Sequence, residues 1–179
     1  MRDRMRALTI WPEWIWSIIH LGKDVENRTY APPRVIRGQR IALHSGVSIG
    51  GKYRKFSKHA AFFVDLMRSK AKEAGIESRY APLGGLSIPD RILWSNPSIP
   101  PLVFSELTKG AVAATAVIED RVHLYHAGQE AISPWAAVTQ YQWILRDIQV
   151  LDHPVPCTGR QGLWPLDPRE ERMVLQQCD

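Results

Sequence analysis

The fold of this chain is decided by Leu8-Thr9-Ile10-Trp11-Pro12-Glu13-Trp14 and, a short distance downstream, by Gly22-Lys23-Asp24-Val25-Glu26-Asn27-Arg28. A strand with β-branched residues leads into an aromatic turn and a short helical pattern, and a second strand follows that carries charge. Charges of both signs beside the apolar Val25 indicate the lining of a pocket rather than a solvated face. Lys23, Glu26 and Arg28 are therefore the first candidates for a functional site.

The size and charge of the chain set the broad class. Its 179 residues predict one domain with embellishments, long enough to bury a core. Hydrophobic residues make up 45% and charged residues 23%, which is typical of a soluble globular protein. The net charge of +5 favours a polyanionic partner, because Lys and Arg release condensed counterions when they bind phosphates.

Several classes of protein are excluded by what the sequence lacks. The two cysteines, Cys157 and Cys178, form no CxxC pair and no cluster with histidines at metal-ligand spacing. The sequence has no phosphate-binding loop and no dinucleotide fingerprint, so no cofactor is predicted. The basic N-terminus has no apolar segment of the signal-peptide type, and no apolar run approaches the length of a membrane span. We therefore predict a cytoplasmic protein without metal, cofactor or membrane association.

The periodicity of the apolar residues predicts an α+β fold. Only two helical patterns interrupt the strands, and no strand–helix unit repeats, which argues against a doubly wound sheet. The apolar run 110–118 is expected to be a central strand that is buried on both faces. Strands are predicted at 7–11, 24–29, 39–44, 110–118 and 140–150, a short helix at 13–21 and a longer one at 57–74.

The order of the motifs resembles that of ASCH domains of bacterial and phage type, which are small β-barrels of the PUA-like superfamily. The first strand with its aromatic turn resembles the family, although Pro12-Glu13 replaces its glutamine–proline pair. Gly22-Lys23-Asp24-Val25-Glu26-Asn27-Arg28 resembles the family's Gly-x-Lys-x-x-Glu-x-Arg pattern. The later matches follow in family order: Arg37-Gly38, Ile41-Ala42-Leu43-His44-Ser45-Gly46, Gly110-Ala111-Val112, Tyr141-Gln142-Trp143, Pro154-Val155-Pro156 and Gly162-Leu163-Trp164.

This resemblance implies a single domain over residues 1–179. The expected architecture is an α+β, small PUA-like β-barrel with a short helix after the first strand. A helical and loop insertion at about 47–105 adds the longer helix, and 167–179 is expected to form a C-terminal tail. Residues 76–105 are rich in Pro and Gly, so little regular structure is predicted there.

Strand geometry predicts how the charged residues are arranged. Alternate residues of a strand point to one face, so Glu26 and Arg28 share a face, and Lys23 joins them only if the chain bends after Gly22. A carboxylate of this kind accepts from the exocyclic amine of a base, while the cations hold a phosphate or a base oxygen. The alternative interpretation is a plain ion pair that closes one end of the barrel.

Other side chains complete the predicted binding site. A flat indole ring stacks on a base with about 1–3 kcal/mol per contact, and Trp11, Trp14 and Trp164 lie beside the motif turns, whereas Trp16, Trp135 and Trp143 are predicted to be core. The remaining predicted ligand contacts are Asn27, Arg37, His44 and Ser45. A basic surface that interleaves cations with aromatics, or alternatively a solvated loop, is predicted at Lys52, Arg54, Lys55 and Lys58.

The predicted site and the family resemblance together suggest two functions of different classes. The first is binding of RNA, of another single-stranded nucleic acid or of a modified nucleoside through the barrel pocket. The second is hydrolysis, since the resemblance implies an amidohydrolase on acetylated cytidine, or a ribonuclease, with Lys23 and Glu26 catalytic. The resemblance places Glu26 where the family has its nucleophilic threonine, and Thr29 lies beyond that position. A hydrolase built on these residues would therefore use a mechanism different from that of the family. A third interpretation is an interaction protein with a vestigial pocket.

Overall fold

A computed structural model of the protein describes residues 4–20, 22–47 and 107–178. The predicted helix at 57–74, the segment 76–105 and the predicted basic surface at 52–58 lie outside these residues. In chain order the elements are β1 (Arg6–Ile10), α1 (Pro12–His20), β2 (Val25–Arg28), a 3-10 helix (Arg34–Ile36), β3 (Arg40–Ser45), β4 (Ala111–Ile118), β5 (His123–Leu124), β6 (Tyr141–Pro156), β7 (Leu163–Pro165) and α2 (Pro168–Leu175).

The strands form one sheet of mixed direction. Its order is β2-β6-β4-β3-β1-β7, and β5 pairs with β6 outside this path. Strand β1 runs parallel to β3, and all the other pairs are antiparallel. The long strand β6 pairs with β2 through its first residues and with β4 through the rest, so it turns the sheet on itself. The result is a curled half-barrel, which confirms the prediction of an α+β fold with a barrel-like sheet.

The curl is accompanied by breaks in the strand pairing. The register of β4 with β6 shifts between Thr115 and Val117, opposite a stretch of β6 that contains Asp147. Asp147 has a φ of 44°, a left-handed conformation that is uncommon outside glycine. An extra residue in one strand of a pair bends that strand and increases its twist, which is the deformation a closing sheet requires.

The two faces of the sheet are both covered. Helix α1 and the 3-10 helix contribute to one apolar cluster, which contains Leu8, Ile10, Ile15, Ile18, Ile36, Leu43 and Trp143. The other face packs a smaller cluster, which contains Ala7, Ala42, Val112, Val155, Trp164 and Val174. Strand β4 lies between β3 and β6 and is buried on both faces over nearly its whole length, as predicted.

Helix α1 is positioned by the residues at its ends. Pro12 occupies its first position, where a missing N–H costs nothing, and Glu13 lies in its first turn. Gly22 has a φ of 65°, and the Lys23 N–H then returns to the Ser17 carbonyl oxygen at 3.1 Å. This is the bend after Gly22 that the sequence predicted, and it turns the chain from α1 into β2.

The C-terminal segment, expected to form a tail at 167–179, contains helix α2. Asp167 and Glu170 form a capping box, in which the Asp167 N–H donates to Glu170 Oε2 at 3.1 Å. Val174 is fully buried against the second apolar cluster. The helix is short and strongly polar with one buried valine, so its sequence carries little periodic signal.

Candidate functional site

A cavity of about 490 Å³ opens where the end of β1, the start of α1 and strand β2 meet a loop at residues 133–140. This volume is within the roughly 300–1,000 Å³ of small-molecule sites. Its lining residues are Thr9, Ile10, Trp11, Trp14, Lys23, Glu26, Asn27, Arg28, Trp135, Ala137 and Gln140. The cavity therefore contains both charged signs and three tryptophans.

The charged residues of the cavity form one continuous array. Lys23 Nζ lies 3.3 Å from Glu26 Oε2, and Arg28 Nε lies 3.1 Å from Glu26 Oε1. Lys23 is only 2% exposed and also donates to the Val25 carbonyl oxygen. Arg28 Nη2 donates to the Thr9 carbonyl oxygen at 3.2 Å, which connects β2 to the end of β1. Glu26 thus contacts Arg28, with which it was predicted to share a face, and Lys23 joins them because the chain bends after Gly22.

Burial and the neighbouring negative charge shift the pKa of Lys23 in opposite directions. Burial lowers the pKa of its ammonium group, and the neighbouring Glu26 carboxylate opposes that shift. Each oxygen of Glu26 in turn faces a cation. The array carries two basic groups and one acidic group, so it suits a ligand with electron-rich atoms as well as an amine.

Aromatic side chains surround this array. Lys23 Nζ lies 5.5 Å from the centre of the Trp14 ring, a distance at which a cation is attracted to the ring face. Trp11 is 41% exposed although it lines the cavity, and Trp135 is buried. A base that entered the cavity would therefore have indole rings available for stacking.

Trp135 is buried, as the sequence predicted, and it also lines the cavity. It lies on residues 133–140, which have no apolar periodicity and are held over β2 by polar contacts. Asn27 Nδ2 donates to the Trp135 carbonyl oxygen at 2.9 Å, and the Ala137 N–H donates to Asn27 Oδ1 at 2.8 Å. Ser133 Oγ donates to Asp24 Oδ1 at 2.5 Å. A side-chain amide that binds two backbone groups cannot be inferred from local sequence.

Replacing Asn27 by alanine is expected to release this loop. Two hydrogen bonds to backbone groups are lost, at roughly 1 kcal/mol each. We expect faster amide hydrogen exchange at Ala137, with about 2 kcal/mol lost from the free energy of unfolding. Asn27→Asp is the matched control, since it keeps the acceptor for the Ala137 N–H and loses the donor to Trp135. Unchanged exchange at Ala137 in Asn27→Ala would show that the loop is held by other contacts.

His44 and Trp164 lie outside the cavity lining, in a cluster with the Thr9 side chain. The Trp164 Nε1–H donates to Thr9 Oγ1 at 3.1 Å, and the rings of His44 and Trp164 meet edge to face with centroids 5.7 Å apart. His44 Nε2 lies 3.2 Å from the Cys157 carbonyl oxygen. Burial lowers the pKa of His44, and that contact with Cys157 opposes the shift. Both rings therefore serve packing on this side of the sheet.

Two more of the predicted ligand contacts are engaged elsewhere. Ser45 Oγ donates to the Thr108 carbonyl oxygen, and Arg37 Nε donates to the Pro32 carbonyl oxygen at 2.9 Å. Neither residue is among those that line the cavity. Of the predicted binding and catalytic set, the structure brings together Trp11, Trp14, Lys23, Glu26, Asn27 and Arg28.

The described part of the chain offers few other chemical centres. Burial raises the pKa of the Cys157 thiol to about 11, so it is not a thiolate nucleophile near neutral pH. Within residues 4–20, 22–47 and 107–178, no three His, Cys, Asp or Glu side chains are grouped to hold a metal ion. None of the described helices is long and apolar enough to span a membrane.

Comparison with known proteins adds no family assignment. A scan against protein-family models finds no match for this sequence, and a search of curated proteins finds none either. The ASCH resemblance consequently rests on the motifs, and it stays a prediction.

Proposed function

We propose that this chain is an ASCH-type, PUA-like domain that binds RNA or another single-stranded nucleic acid by taking one unpaired base, or a modified nucleoside, into the cavity. The observation that carries this proposal is the Glu26 carboxylate, held between Lys23 and Arg28 inside a cavity with tryptophan walls. The cytoplasm, where RNA is abundant, is the location we propose for it.

Each part of the cavity has a counterpart in a base. The Glu26 carboxylate accepts from an exocyclic amine, and a base oxygen or ring nitrogen accepts from the Arg28 guanidinium. The exposed part of Trp11 offers a face for stacking at the mouth. The vestigial interpretation required that no cavity open beside Trp11, whereas that residue lines the cavity.

Hydrolysis is the second candidate, and the buried Lys23–Glu26 contact favours it. A lysine whose pKa is lowered by burial gives up its proton more readily than an exposed lysine. With Glu26 as general base, water would add to the acetyl carbonyl of acetylated cytidine, and acetate and the free amine would leave after proton transfer from Lys23. Thr29 is exposed and is not a lining residue, so a threonine nucleophile at that position has no support.

One assay separates the two candidates. The purified protein is incubated with acetylated cytidine and a mixed oligoribonucleotide, and the products are analysed by mass spectrometry. We expect unchanged substrates together with salt-sensitive retention of the oligonucleotide, because the basic chain releases counterions on binding. Deacetylation or strand cleavage that is lost in Lys23→Ala and Glu26→Ala would establish the hydrolase instead. Retention equal in wild type and both variants would contradict the pocket assignment.

A further inference from the structure

The loop between β6 and β7 is tied to a residue that lines the cavity. Thr9 Oγ1 donates to the Arg160 carbonyl oxygen at 2.8 Å, while the Thr9 carbonyl oxygen accepts from Arg28 at 3.2 Å. Thr9 therefore contacts the charged array through its backbone and the Arg160 loop through its side chain. The backbone of Arg160, which lies far along the chain, therefore contacts a residue that lines the cavity.

Arg160 is anchored at its backbone and presents its side chain to solvent. The residue is exposed, and its guanidinium carbon lies 5.8 Å from the centre of the Trp164 ring. Among the described residues, no carboxylate forms an ion pair with this guanidinium. A planar guanidinium with its donors available matches the oxygens of a phosphate.

Gly159 explains how the loop reaches this position. A Cβ atom there would lie 2.7 Å from His44 Nδ1 and 3.1 Å from Thr9 Oγ1, and closer still to His44 Cε1. Only a glycine allows the loop to lie directly on the buried His44 ring. His44 and Trp164 thus form the base on which Arg160 is held, and a backbone fixed in advance loses less entropy when its side chain binds.

We propose that Arg160 binds the phosphate group of the nucleotide whose base occupies the cavity. The ligand is then a phosphorylated nucleotide, free or within a strand, rather than a nucleoside. This inference rests on the proposed function, since it requires that the base enter beside Thr9. It also gives His44 and Trp164 a role, because they position the loop that carries the cation.

The test is calorimetric titration with the four ribonucleosides, their 5′- and 3′-monophosphates and a short mixed oligoribonucleotide. We expect at least one monophosphate to bind about tenfold more tightly than its nucleoside. In Arg160→Gln this tenfold difference is expected to vanish, while affinity for the nucleoside stays within about twofold. Arg172→Gln, which removes the same charge from an exposed position on α2, is expected to keep the full difference.

A second variant tests the loop itself. Gly159→Ala forces the loop off the His44 ring, so it should reduce the phosphate preference and leave the nucleoside affinity unchanged. If neither the monophosphates nor the oligonucleotide bind more tightly than the nucleosides, or if Arg160→Gln keeps the difference, the phosphate contact is wrong while base binding stands. If the wild type binds no nucleoside, monophosphate or oligonucleotide, both the phosphate contact and the proposed function are wrong. If Arg160→Gln lowers the affinity for the oligonucleotide but not for the monophosphates, the ligand is a nucleotide within a strand.

Discussion

Replacing Lys23 by methionine is expected to lower the free energy of unfolding by about 3 kcal/mol, because removing one partner of a buried ion pair leaves the other charge uncompensated. Glu26 is itself buried, and in this variant its Oε2 loses the contact at 3.3 Å while Oε1 keeps Arg28. Urea unfolding followed by circular dichroism measures the change. Arg121→Met is the matched control, since Arg121 is an exposed cation, and it should change stability by less than about 0.5 kcal/mol. Equal stability of both variants would show that Arg28 alone is enough for Glu26.

The same lysine gives the fold a dependence on pH. Burial lowers the pKa of Lys23 in the folded state below its ordinary value of 10.5. As the pH falls below that ordinary value, the unfolded chain takes up this proton first, which favours unfolding. The stability contributed at this position therefore increases as the pH rises from the lowered pKa towards 10.5. Subtracting the Lys23→Met profile from that of the wild type should reveal this increase, and parallel profiles would contradict the shift.

Replacing Glu26 by glutamine is expected to weaken binding of the preferred oligoribonucleotide about 100-fold. Glutamine has nearly the same shape, but its amide provides one neutral oxygen where the carboxylate accepts from a ligand amine. The variant also leaves Lys23 and Arg28 close together without a counter-charge. Titration of the tryptophan fluorescence measures the affinity, because tryptophans line the cavity.

A control variant separates this effect from a general loss of negative charge. Glu119 forms a partly exposed ion pair with Arg146 at 3.0 Å and is not a lining residue. Glu119→Gln should therefore bind the oligoribonucleotide with unchanged affinity. If Glu26→Gln loses stability but binds like the wild type, the array is a structural ion pair that closes one end of the barrel.

The sequence predicted those parts of the site that depend on short separations along the chain. Lys23, Glu26 and Arg28 lie within one bend and one strand, so strand alternation and the glycine bend were enough to bring them together. The pairing of β1 with β3 was harder to anticipate. It places His44 opposite Thr9, on the face that carries Ala7, whereas Leu8 and Ile10 face the main core. Local alternation does not indicate which of two buried faces holds a cavity.

Contacts over long separations explain what the sequence did not predict. Asn27 holds residues 133–140 through backbone groups that any residue type supplies, so nothing in that loop indicates its partner. The burial of Trp135 was predicted, but its place in the cavity lining was not. Similarly, β6 extends to Pro156 rather than to residue 150, because β4 continues beside it past the predicted end. The partner that holds the loop of Trp135 lies more than a hundred residues away, and the partner that extends β6 is another strand.

The position of β1 between β3 and β7 determines when the fold can be completed. Ala7 pairs with Ala42 on one side and with Trp164 on the other, so one of its two neighbours is contributed by a segment far downstream of β1. During synthesis the first strand must wait with one edge unpaired until residues 163–165 have left the ribosome. Closing so long a loop is slow compared with forming a local hairpin. The sheet is thus expected to be completed late in folding, with β1 and its exposed edge as the segment most in need of protection until then.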